Sequence, residues 1–194
     1  MNAKSTDTKH TPPTPPMNLT LFNNTSFDRG APRSKEVLWW VVRSLFFAPW
    51  FPIPSSIKVT ALRAFGASVG ERVVIRSRVH ISFPWRLTIG DDVWIGEEVT
   101  ILSLDRVVIG SDVCLSQRAF LCTGSHDFSR ESFDLMTAPI TIADGCWIGA
   151  QAFVGPGVSF GKSSRCLAGA VVVKSIGADT TVAGVPARRI DRAS

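Results

Sequence analysis

The chain has 194 residues, which suits one domain of ordinary size with a sizeable core. Its residues are 45% hydrophobic and 19% charged, which excludes a mainly disordered chain. The net charge of +5 is modest and its Lys and Arg residues are scattered, which suits an anionic small molecule or a membrane surface but no nucleic acid, whose binding needs a denser basic stripe.

Residues 1–33 read as a flexible tail, polar and rich in Thr, Pro and Asn, with the run Thr11-Pro12-Pro13-Thr14-Pro15-Pro16. Too few apolar side chains are present to offset the entropy of ordering them. His10 lies there with no evident partner. No basic stretch, apolar core and cleavage pattern opens the chain, so a cytoplasmic protein with reduced cysteines is expected.

Residues 34–66 form an N-terminal helical segment. A helix is expected over roughly Lys35 to Ala48, stopped by Pro49, Pro52 and Pro54. It is apolar nearly all round but too short to cross a bilayer, and it contains Arg43. Two readings follow for residues 37–53: peripheral contact with the inner face of a membrane, or packing on the chain's own body or a second copy. Trp39, Trp40, Trp50 and Phe51, near Arg33, Lys35, Arg43 and Lys58, suit the first. A second, amphipathic helix is expected over about Ser55 to Phe65, with Lys58 and Arg63 on its polar side and Gly66 as its cap.

Residues 67–194 form one further domain, in which a six-residue period takes over and gives way after Val172 to a C-terminal tail. The anchors of the period are Val69, Ile75, Ile81, Ile89, Ile95, Ile101, Ile109, Leu115 and Leu121, then Ile142, Ile148, Val154, Phe160, Cys166 and Val172. Seven of the fifteen residues that follow an anchor are Gly, where 15 Gly in 194 residues would place about one. Four positions after an anchor the residue is mostly small or β-branched, as at Val73, Val93, Ala119 and Ala152. A period of six fits neither a helix nor an alternating strand. It fits short strands joined by tight corners, where Gly is expected to supply unusual dihedrals, stacked into a solenoid around an aliphatic column.

The period fails once, over residues 122–139, a protruding loop that carries Thr123-Gly124-Ser125-His126-Asp127. A long loop in a compact domain is usually functional, and a titratable imidazole within it marks a candidate centre. The cysteines Cys114, Cys122, Cys146 and Cys166 form no C-x-x-C and have no matching His, so they read as apolar fillers and no metal is expected.

Several signatures stand together with this repeat: Asp92-Val93-Trp94-Ile95-Gly96, the Thr123–Asp127 run, Cys146-Trp147-Ile148-Gly149, Pro156-Gly157-Val158 and Ala183-Gly184-Val185-Pro186-Ala187. They resemble the left-handed parallel β-helix (hexapeptide-repeat) acetyltransferases. With the tryptophan-rich helix and Phe83-Pro84-Trp85-Arg86-Leu87-Thr88, the likeness is strongest to the colanic acid biosynthesis acetyltransferases. The resemblance implies a mainly β fold: a single left-handed β-helix behind a helical segment. The handedness rests on the resemblance alone, because ordinary parallel connections are right-handed. A homotrimer with sites between adjacent solenoids is implied as well.

The resemblance makes His126 the general base that takes a proton from a sugar hydroxyl attacking the thioester of acetyl-CoA. Asp127 is a candidate to orient its ring, with turn formation as the other reading. Trp147 is a candidate to line the thioester pocket. Ala150 and Ala168 are placed along the pantetheine arm, and Val173, Lys174 and Arg188 near the nucleotide, whose phosphates need cations. His80 matches no motif and is expected at an exposed corner. Where related enzymes acting on free galactosides or maltose carry Asn and Asp, this chain has Gly96 and Leu104, which argues against those acceptors. The expected activity is O-acetyl transfer to a carbohydrate in exopolysaccharide or cell-surface glycan synthesis. An amino sugar, serine or antibiotic as acceptor is the alternative, and a non-catalytic scaffold is a further one.

Overall fold

The computed structural model describes residues 16–190. Helix α1 spans Arg33–Phe46 and α2 spans Ser55–Ala64. The rest is a β-solenoid of two- and three-residue strands on three faces. The first face begins at Ser68–Val69, the second at Val74–Ile75 and the third at His80–Ile81. Each strand pairs in parallel with its equivalent one coil on: Ser68 opposes Thr88, Val108 opposes Thr141, and Thr141 opposes Ser159.

All fifteen anchors are buried, Val69 the least so at 8% exposure, and they form one continuous core. The small residues four positions later fill the space between them, with Val93, Val99, Ala119, Ala152 and Ala170 fully buried. Burial lifts the Cys166 thiol to about 11, so it packs as an inert filler. All four cysteines are free.

The glycines after the anchors work differently from the expectation. The left-handed backbone falls two residues further on, at Arg72, Asp92, Glu98, Asp112, Arg118 and Gln151 among others. At Gly149 a Cβ would lie 2.5 Å from the backbone of Leu167 and Ala168, and at Gly161 it would lie 2.3 Å from Ala178 N. Gly is required at these two because the next coil's backbone passes against them.

α2 closes the N-terminal end of the solenoid. Lys58, expected on a solvated face, is 1% exposed, and its Nζ donates to the carbonyls of Ile75 at 3.2 Å and Arg76 at 2.7 Å. Arg63 donates to the carbonyls of Val69 and Gly70. These carbonyls lie on the first coil, which has no strand beneath it, so the helix supplies the missing donors. Gly66 (φ 96°) ends α2: its N–H reaches the Arg63 carbonyl and that of Ala67 reaches Leu62. α1 lies alongside, with Trp39 fully buried and its Nε1 donating to the Ile81 carbonyl at 2.8 Å. Its other side leaves Val37, Leu38, Trp40, Val41 and Leu45 exposed.

His80 is half-buried on a strand of the third face, where Arg43 Nη1 of α1 donates to its Nε2 at 2.8 Å. Burial first, then the Arg43 charge, lower its pKa below 6.5.

The tail expected over 1–33 divides. Residues 1–15, with His10, lie outside the described residues. Residues 16–32 are laid along the solenoid as a strap, and residue 33 already opens α1: Trp85 Nε1 donates to the Arg29 carbonyl at 2.7 Å, and Arg29 pairs with Glu36 at 2.8 Å. Asn18 N–H donates to the Glu131 carbonyl at 2.9 Å. The contacts of Arg29 with Trp85 and of Asn18 with Glu131 join residues far apart in the chain, so local composition gave no sign of them.

Candidate active site

The interruption over 122–139 is a β-hairpin, with Gly124–His126 antiparallel to Leu135–Thr137 and His126 opposite Leu135. It leaves the corner between the third and first faces. In the two preceding coils that corner carries the turns around Pro84–Arg86 and Leu104. Buried Thr123 fixes its base: Oγ1 donates to the Leu102 carbonyl at 2.7 Å and accepts from Asp105 N at 2.9 Å. Arg130 ties the tip to Asp134 at 2.8 Å.

His126 is half-buried between two rings. Phe133 stacks on it with centroids 4.3 Å apart and planes 2° from parallel, and Phe22 of the strap lies at 5.7 Å, tilted. Its Nδ1 is 2.9 Å from the Phe133 carbonyl. A carbonyl only accepts, so Nδ1 carries the proton and the neutral ring keeps its lone pair on Nε2. Phe133 holds a left-handed backbone (φ 50°), which is costly for an aromatic residue and is maintained by the hairpin around it.

Of the two readings for Asp127, its hydrogen bonds fit the turn. Its Oδ1 accepts from Ser129 N at 3.0 Å and Oγ at 2.5 Å, forming a turn at the tip. These bonds hold its carboxyl below the usual range. The orienting acceptor is instead a backbone carbonyl, a group that residue types do not reveal.

Trp147 stands outward on the second face, its Nε1 donating to Ser116 Oγ at 2.8 Å. Ala150 and Ala168 occupy the corner between the second and third faces in consecutive coils, where Gly169 N–H donates to the Ala150 carbonyl at 2.8 Å. Val173, Lys174, Arg188 and Arg189 line a cleft of ≈ 520 Å³ at the C-terminal end. There Ala187 N–H bonds the Val171 carbonyl and Arg188–Arg189 folds back antiparallel on Val182–Ala183. Lys174 has no anionic partner among the described residues. Arg188 is exposed and donates to the Ala187 carbonyl at 3.0 Å. His126 belongs to the hairpin, which borders a different cleft of ≈ 640 Å³. Among the described residues no group of His, Cys, Asp and Glu is arranged to hold a metal ion.

A three-faced solenoid of six-residue rungs, interrupted by one histidine-bearing hairpin, places the chain among hexapeptide-repeat proteins. No family model matches the chain. It is 40% identical over 160 residues to the protein designated colanic acid biosynthesis acetyltransferase WcaF of Escherichia coli (strain K12), covering 82% of this chain and 87% of that one. It is 30% identical over 142 residues to galactoside O-acetyltransferase of the same organism, covering 71% and 70%. Among solved structures, a galactoside acetyltransferase in complex with coenzyme A superposes with a TM-score of 0.74 at 26% identity, over 82% of this chain and 80% of that one. A hexapeptide-repeat acetyltransferase of Vibrio cholerae complexed with acetyl coenzyme A gives 0.67 at 26%, over 72% and 78%. The chain belongs to the hexapeptide-repeat acetyltransferase family, and its coils wind left-handed as in those neighbours.

Proposed function

We propose that the chain transfers the acetyl group of acetyl-CoA to a carbohydrate hydroxyl, with His126 as general base. The observation that carries this is the Nδ1–H···O=C bond to Phe133, which leaves Nε2 as a proton acceptor. Nε2 takes the hydroxyl proton as the oxygen attacks the thioester carbonyl. When the tetrahedral intermediate collapses, the C–S bond breaks and the imidazolium returns the proton to the departing thiolate. Lys174, which has no anionic partner among the described residues, supports with Arg188 a phosphate-binding end there, with Val173 against the nucleotide. The small side chains of Ala150 and Ala168 leave room for a pantetheine arm along their corner, and Trp147 is assigned to the thioester end.

On one chain His126 and the cationic cleft are apart, which supports a homotrimer in which a neighbouring copy completes each site. The designation of the colanic acid relative supports a glycan-synthesis setting for this chain. No helix among the described residues is long and apolar enough to cross a membrane. The exposed apolar face of residues 37–53 supports a peripheral position at the inner face of the membrane, within reach of lipid-linked acceptors; its burial against a second copy is the competing reading.

An acceptor screen with acetyl-CoA and thiol detection tests the activity. Thiol release that depends on a hydroxyl acceptor is expected, and transfer to amines alone would overturn the assignment. Co-sedimentation with anionic vesicles separates the two readings of residues 37–53.

A further inference from the structure

We propose that the cleft between strap residues 23–28 and the hairpin is the acceptor subsite, and that it takes an uncharged sugar unit. This rests on the acetyl-transfer reading above. The cleft encloses ≈ 640 Å³, within the range of about 300–1,000 Å³ usual for small-molecule sites. Its wall includes Asp127, the residue after His126, and Leu135, the residue opposite it in the hairpin register. A molecule bound there lies against the hairpin that carries the base, with His126 itself outside the lining.

The solenoid contributes little polarity at this corner. A Cβ on Gly124 would come within 2.8 Å of the Leu104 side chain and 3.8 Å of Leu102, so the hairpin's base packs on apolar side chains outside the cleft lining. Hydroxyl recognition therefore has to come from the strap and the hairpin tip. Asn23, Asn24 and Ser26 supply amide and hydroxyl groups there. The Asn24 side chain has no partner among the described residues, and Asn23 uses only Oδ1, on Thr25 N at 2.8 Å.

The charges lining the cleft are already matched. Arg86 donates to the carbonyls of Leu104 and Asp28, with the Asp28 carboxylate 3.8 Å away. Arg130 lies 2.8 Å from Asp134 and 3.7 Å from Asp127. Among the described residues three carboxylates face two guanidiniums, so neither cation is left to receive a phosphate, and a nucleotide-linked acceptor would meet net negative charge. Neutral hydroxyls, which both donate and accept, fit such a lining.

The test uses the full chain and its Asn23→Ala/Asn24→Ala double variant, with methyl glucoside, methyl mannoside, cellobiose and UDP-glucose as probes. Turnover is measured by thiol release, and binding by ligand-observed NMR. A neutral glycoside should saturate the wild type, and the double variant should raise its KM about tenfold, the effect of losing two or so hydrogen bonds. The KM for acetyl-CoA should not move. An unchanged glycoside KM overturns the proposal, as does a lower KM for UDP-glucose than for methyl glucoside. If no probe is acetylated but a glycoside binds the wild type and not the variant, the subsite stands and the acetyl-transfer reading falls. Neither turnover nor binding with any glycoside overturns the subsite.

Discussion

Replacing His126 separates catalysis from folding. His126→Ala removes one hydrogen bond to Phe133, worth about 1 kcal/mol, and one ring stack, worth about 0.5–1.5 kcal/mol. Both lie on the hairpin, outside the aliphatic column, so the solenoid and its assembly should be unaffected. Loss of a general base removes about 10²–10⁴ in rate, or about 3–5 kcal/mol of barrier lowering. His126→Gln sharpens the comparison, because its amide N–H can still donate to the Phe133 carbonyl but cannot take a proton. Initial rates of acceptor-dependent thiol release, circular dichroism and sedimentation of both variants form the assay. Both should fold and assemble as the wild type does, with kcat down at least a hundredfold and the KM for acetyl-CoA little changed. Turnover within tenfold of wild type in His126→Gln would refute the assignment.

Lys58→Met should lower the thermal midpoint, because two carbonyls of the first coil lose their donor; a cost of about 2 kcal/mol is expected, and Lys58→Arg should recover part of it. Gly149→Ala should fail to assemble a regular solenoid, since its Cβ would lie 2.5 Å from the next coil's backbone; soluble yield and circular dichroism report this. The lowered pKa of His80 means that the unfolded chain binds a proton there which the folded chain resists. Stability from this group is therefore complete above about pH 6.5 and declines as pH falls below it. The thermal midpoint of His80→Gln should drop less between pH 7 and 5 than that of the wild type. Lys174→Ala should raise the KM for acetyl-CoA about tenfold and leave kcat nearly unchanged, if its charge meets phosphate as proposed.

The solenoid was legible because each anchor answers to the same local rule: six residues later the chain must again face inward, and every anchor from Val69 to Val172 is buried. The helices were legible in kind, and their ends moved by two residues at most. Lys58 was not legible, because a lysine on a helix looks solvated until the carbonyls beneath it are known. The role of the glycines was misplaced for a similar reason: their constraint comes from a neighbouring coil about twenty residues away, not from their own dihedrals. At the site, His126 stood out as a residue type in an interruption of the repeat. Its partner is a main-chain oxygen, and the strap beside it is held by pairs such as Asn18 and Glu131, 113 positions apart, which leave no periodic trace.

A stack of near-identical parallel rungs is, in polymer terms, an unfinished fibre: each end rung displays the same open template that the rung before it just filled. Here the number of rungs is set by two terminators of different kinds. At one end Lys58, Arg63 and Ser55 of α2 occupy the open template with side chains in place of a strand. At the other the chain reverses, and Arg188–Arg189 run antiparallel to the last strand, so a further parallel rung finds no matching pattern. A chain stripped of α2 would keep its aliphatic column yet regain one reactive end, and its characteristic failure would be growth by end addition rather than collapse.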